Sequence, residues 1–137
     1  MPRHPQEYTI KIKKGRRKIS QYLSMSNTFA QFCRGNVDEM YIMEQLADAN
    51  DRLYLAFHNG AVKGFLLTEG KCFIDIVCAA ADTKGAGYKL ITSFMNHAKK
   101  DGCKTVELMP TTNAIPTWKR YGFTFLKDRP RTMSKDL

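Results

Sequence analysis

Apolar and polar positions alternate at the start of the chain. Over Glu7–Lys13, residues Tyr8, Ile10 and Ile12 fall on one side and charged or polar residues on the other, the period-two pattern of a strand. The period then lengthens. Ile19, Tyr22, Leu23, Met25, Phe29 and Phe32 repeat at helical spacing, which predicts a helix over Ser20–Cys33, stopped by Gly35-Asn36. Asp38, Glu39, Met40, Ile42, Met43, Leu46 and Ala47 predict a second amphipathic helix. Next come two apolar runs, Arg52–Phe57 and Ala61–Thr68, parted by His58-Asn59-Gly60. Asn-Gly between such runs is a strong hairpin signal. A third run, Cys72–Val77, completes three antiparallel strands that lead into a helix, an α+β beginning.

The stretch that follows is Asp82-Thr83-Lys84-Gly85-Ala86-Gly87-Tyr88-Lys89-Leu90, after which Leu90, Ile91, Phe94, Met95 and Ala98 repeat at helical spacing to about Lys100. Strand, glycine turn and helix together make an anion site. Helix N-termini carry unpaired N–H groups and partial positive charge, and glycines let a phosphate approach the backbone. Asp101-Gly102 ends this helix, and Cys103–Met109 predicts the next strand. Pro110–Asn113 reads as a loop and Ala114–Arg120 as a short helix with Pro116 in its first turn. Closing strands are expected around Phe123–Leu126 and Arg131–Met133.

The glycine pattern separates three phosphate-binding loops. A Walker loop needs Gly-Lys-Ser/Thr, and none follows Gly87; a dinucleotide loop needs a third glycine where Leu90 stands. Gly85, Ala86 and Gly87 instead resemble the coenzyme A loop of the GNAT N-acetyltransferases, Arg/Gln-x-x-Gly-x-Gly/Ala, with Asp82 in the Arg/Gln place. Farther on, Asn113–Phe123 is similar to that family's closing motif, Asn-x-x-Ala-x-x-x-Tyr-x-x-x-Gly-Phe, slightly shortened. The resemblance spans Glu7 to Met133. It implies one mixed α+β domain over residues 1–137, with a mostly antiparallel central sheet splayed between its fourth and fifth strands and helices on both faces.

The resemblance also implies chemistry, namely direct transfer of acetyl from acetyl coenzyme A to an amine. Val77 and Cys78 stand where backbone N–H polarises the thioester carbonyl. Thr83, Lys84, Gly85, Ala86, Gly87 and Tyr88 stand where backbone amides hold the pyrophosphate. Asn113, Ala114 and Trp118 fall on the stretch that packs along the pantetheine arm. Two residues depart from the pattern. Asp82 cannot donate to phosphate, and an N-cap role is expected of it. Trp118 replaces the tyrosine that commonly protonates the thiolate. Tyr121 is the nearby acid candidate, although it is expected to point elsewhere round the helix. An amine acceptor must lose a proton before attack. Asp75, an acid within an apolar strand, is the first candidate base, and Glu107 the second.

Charge narrows the acceptor. The formal net charge is +9 over 137 residues. Lysines and arginines crowd Lys11–Lys18, while Asp38, Glu39, Glu44, Asp48 and Asp51 form an acidic cluster. The resemblance implies that the second helix borders the acceptor side, and an acidic wall there, with Asp38 and Glu39 as substrate contacts, suits a small polycationic amine such as a polyamine. It equally suits a lysine-rich peptide or an aminoglycoside. The rival from another class is a basic nucleic-acid-binding module that kept the fold and lost the chemistry. Whether a homodimer completes the acceptor pocket stays open. No apolar run is long enough to cross a bilayer, and no secretory signal is expected at the N-terminus. Cys33, Cys72, Cys78 and Cys103 show no Cys-x-x-Cys pair, so neither a metal nor a disulfide framework is expected; reduced thiols and a cytoplasmic location are.

Overall fold

In the computed structural model of the protein, residues 7–15, 39–48, 50–79 and 85–137 are described. The helix expected over Ser20–Cys33, the basic run after Gly15, and Asp38, Asp82, Thr83 and Lys84 lie outside the described residues. The elements are β1 (Thr9–Lys14), α1 (Glu39–Gln45), β2 (Arg52–His58), β3 (Ala61–Glu69), β4 (Phe73–Ala79), α2 (Ala86–Lys100), β5 (Thr105–Leu108), a 3-10 turn (Thr112–Ala114), α3 (Ile115–Arg120), β6 (Thr124–Phe125) and β7 (Met133–Asp136).

The strands form one sheet in the order β1-β2-β3-β4-β5-β7-β6. Every neighbouring pair is antiparallel except β4 and β5, which run parallel. The β2–β3 hairpin turns on Asn59 (φ 51°) and Gly60 (φ 79°). Both positive values belong to the turn whose twist matches its flanking strands, which is why Asn-Gly marks it.

A separate apolar cluster packs on each face. On one, Leu90, Ile91, Phe94 and Ala98 of α2 meet Tyr54, Leu66, Ile74, Val106 and Leu108. On the other, Ile42 and Leu46 meet Leu53, Leu55, Phe65 and Leu67. Helices therefore cover both faces, and β3 is buried from Gly64 to Thr68 because apolar neighbours press on it from two sides. Each cluster uses alternate positions of β2: Leu53, Leu55 and Phe57 for α1's side, Tyr54 and Ala56 for α2's.

Two expectations change. The N-cap of α2 is Gly85, at φ 89°, with no side-chain cap bond. The capping position thus falls three residues after Asp82, and a glycine takes it because left-handed backbone disfavours a Cβ. Second, Cys72 and Cys103 are joined in a disulfide, Cα to Cα 5.8 Å, and Cys78 is disulfide-bonded as well. The expectation of reduced thiols came from sequence spacing. Parallel pairing of β4 with β5 instead sets the residue before one strand beside the approach to the other. Among the described residues, no helix is long and apolar enough to cross a membrane, and no group of acidic, histidine and cysteine side chains could hold a metal.

Candidate active site

The site grows out of one irregularity of the sheet. β4 and β5 pair only at Phe73↔Glu107 and Ile74↔Leu108. Past Ile74 they part: β4 continues to Ala79 against β3 alone, while β5 ends at Leu108. A bulge starts the divergence. Leu67 pairs with Ile76 and Thr68 with Ile74, so Asp75 is the extra residue. Bulges bend a strand and re-aim its side chains. Here the bulge breaks the alternation of β4: Ile74 and Val77 pack on α2's side, while Ile76 and Cys78 pack on α1's.

Between the parted strands lies a cleft of about 470 Å³. Its walls come from β4 (Asp75, Val77, Cys78), α2 (Gly87, Ile91), the segment after β5 (Met109, Thr111), Trp118 of α3 and Tyr121 just past it. At the helix end, the first intrahelical bond of α2 runs from Lys89 N–H to the Gly85 carbonyl. The N–H groups of Ala86, Gly87 and Tyr88 therefore lie ahead of it, where helices offer unpaired donors. A Cβ built on Gly87 would meet nothing within 4 Å, so the backbone there is open to a ligand. Ala86 is buried and Tyr88 exposed.

On the sheet side, Asp75 lines the cleft and accepts a 2.7 Å hydrogen bond from the Tyr41 hydroxyl on α1. That bond, with partial burial and the negative charge of Asp75, pushes the Tyr41 phenol from 10.0 up to about 12. Glu107 sits elsewhere. Its carboxylate accepts from the Arg129 guanidinium at 2.7 and 2.9 Å, and it borders a different depression, around the Cys72–Cys103 disulfide.

Trp118 is buried and packs edge-on against Phe123, ring centroids 5.2 Å apart. Tyr121 does not turn away. Three residues on, it lines the same cleft with its ring 6.1 Å from Trp118 and 6.0 Å from Tyr88. Burial raises the Tyr121 phenol above its ordinary value. The i,i+3 spacing was the available signal, since such residues share a helix face. Asn113 is exposed in the 3-10 turn and does not border the cleft, whereas its neighbours Thr111 and Ala114 do. Of Glu39 only the backbone, at the start of α1, is described. Asp51, counted in the acidic cluster, is buried and accepts from the Gln45 side chain and the Gly70 N–H, a structural duty. Glu44 and Asp48 are exposed.

A parallel strand pair parts over a cleft with a glycine-opened helix N-terminus in its lining, an arrangement with room and free backbone donors for an elongated anionic ligand. The family model of the acetyltransferase (GNAT) family matches residues 20–123. The chain belongs to that family, and the class of its reaction is acetyl transfer from acetyl coenzyme A. Among curated protein sequences there is no match. Solved structures share the fold at low identity. Tetrahymena GCN5 aligns with TM-score 0.69 and 19% identity, over 95% of each chain. The PaiA N-acetyltransferase of Thermoplasma acidophilum, in complex with coenzyme A, gives 0.66 and 13%, over 94% of this chain and 99% of that one. A GNAT family acetyltransferase from Elizabethkingia anophelis with acetyl-CoA bound gives 0.64 and 16%, over 95% and 98%.

Proposed function

We propose that the chain acetylates a primary amine, with a small polycationic amine such as a polyamine as acceptor. The observation that carries this reading is the cleft lined both by open helix backbone at Gly87 and by a carboxylate, Asp75. Acetyl coenzyme A supplies the activated acyl group as a thioester. The cleft's apolar wall of Val77, Ile91, Ala114 and Trp118 suits a pantetheine arm, and the amides at Ala86, Gly87 and Tyr88 suit a pyrophosphate. Coenzyme A and acetyl-CoA in the Thermoplasma and Elizabethkingia structures support the same use of the shared fold.

The chain's own groups divide the proton work. Asp75 anchors the incoming ammonium and accepts its proton, directly or through a water. Backbone N–H at Val77 and Cys78 polarises the acyl carbonyl. Tyr121, kept protonated by burial, is the acid available to the departing thiolate. The ion pair of Glu107 with Arg129 and its place outside the cleft favour Asp75 as the base.

The test is acetyl transfer over a panel of polyamines, lysine peptides and aminoglycosides, with coenzyme A release as the readout. Spermine-like amines are expected to give the highest kcat/KM. A preference for a peptide or an aminoglycoside would reassign the acceptor. Absence of transfer to every amine, together with salt-steep binding to DNA or RNA, would overturn catalysis in favour of a binding module.

A further inference from the structure

We propose that Tyr41 is a positioning residue for the transfer: its hydroxyl holds one oxygen of the Asp75 carboxylate and leaves the other turned to the cleft, where an ammonium arrives. The inference rests on the reading of Asp75 given above. Three observations carry it. The bond is short, 2.7 Å, and joins residues 34 positions apart, so it exists only because the fold brings α1 beside the bulge of β4. The hydroxyl reaches Oδ2, and among the described residues Oδ1 accepts no hydrogen bond. Tyr41 is also 40% exposed, whereas Ile42 and Leu46 of the same segment are fully buried and anchor it. Its ring is therefore not the main packing element of α1.

The terminal torsion of an aspartate is soft, so a lone carboxylate samples many orientations. A donor fixed on a neighbouring helix removes that freedom and holds the carboxylate in one orientation for an arriving ammonium. The Tyr41 phenol, pushed to about 12, stays a donor throughout the pH range in which amines are acetylated. Among the described residues, the other titratable groups around the pair are Glu69 on β3, which acts on Tyr41, and Tyr121, just past α3, which lines the same cleft. At neutral pH neither provides a cation to take Tyr41's place.

The test compares Tyr41→Phe, Asp75→Asn and the double variant with the unaltered protein, using spermine and acetyl coenzyme A. Tyr41→Phe removes only the hydroxyl. It is expected to lower kcat/KM for the amine about tenfold, as loss of a hydrogen bond to a charged group does. The loss should appear in both kcat and KM for the amine. Affinity for acetyl coenzyme A and the melting temperature should stay near those of the unaltered protein. The double variant should be no slower than Asp75→Asn, because the two residues act as one unit. If Asp75→Asn is impaired while Tyr41→Phe keeps the original kcat and KM, the positioning role is overturned and the base reading survives. If the two losses multiply in full, the positioning role also fails. If Asp75→Asn is itself fully active, the base reading falls first and the role of Tyr41 with it.

Discussion

Single glycines set the reach of the cleft and the closeness of its wall. At Gly87, open space surrounds the position a side chain would take, although the residue sits in a helix. Gly87→Trp is expected to fold and to weaken coenzyme A binding by tenfold or more, measured by calorimetry. Unchanged affinity would remove the turn from the site. Gly64 is the opposite case. A Cβ there would stand 2.9 Å from the Cys78 carbonyl oxygen, backbone that cannot rotate away. Gly64→Ala is expected to cost about 1–3 kcal/mol in denaturant unfolding, as overpacking does, and to disturb β4 at its cleft-lining residues. Both glycines stand in plain view in the sequence, and only Gly87 carried a motif. What distinguishes them is what lies beside each in space.

At the scale of elements, the join between β4 and β5 decides the geometry. Two residue pairs and one disulfide hold together strands that then diverge. The disulfide joins cysteines 31 positions apart. Its loss in Cys103→Ala is expected to lower stability by about 3–4 kcal/mol on the chain-entropy view. Thermal unfolding with and without the substitution checks this. The helical elements were legible in outline. α2 was read from its period and its Gly102 stop, the β2–β3 hairpin from Asn-Gly, and α3 from its proline and following glycine, because each signal is local. The Asp75 bulge was not. A bulge is a register difference between two strands, and one strand's residues do not state it.

Across the whole molecule, charge and cleft together frame the acceptor. The net charge of +9 sits beside an acidic stretch from Asp38 to Asp51, yet Asp51 is already committed to Gln45 and Gly70. On the proposed reading, the acids of that stretch left for an acceptor are Asp38, Glu39, Glu44 and Asp48. Neutralising Asp38 and Glu39 together is expected to raise KM for spermine several-fold with little change for acetyl coenzyme A. The same KM should rise with ionic strength, since exposed charges are screened within about 8–10 Å at such salt. A salt-independent KM would separate the acidic stretch from acceptor binding.

By itself, the sequence determined the family, the order of elements, the glycine turn at the start of a helix and the presence of an acid in an apolar strand. Each is a matter of spacing between near neighbours, where 3.6- and 2-residue periods and turn chemistry act directly. Tertiary structure alone decided that Tyr41 meets Asp75, that Cys72 meets Cys103, and that Glu107 is tied to Arg129 outside the cleft. Each joins residues more than twenty positions apart. Packing of both faces of one sheet sets those distances, and no local rule states which distant residues a fold will bring within 3 Å.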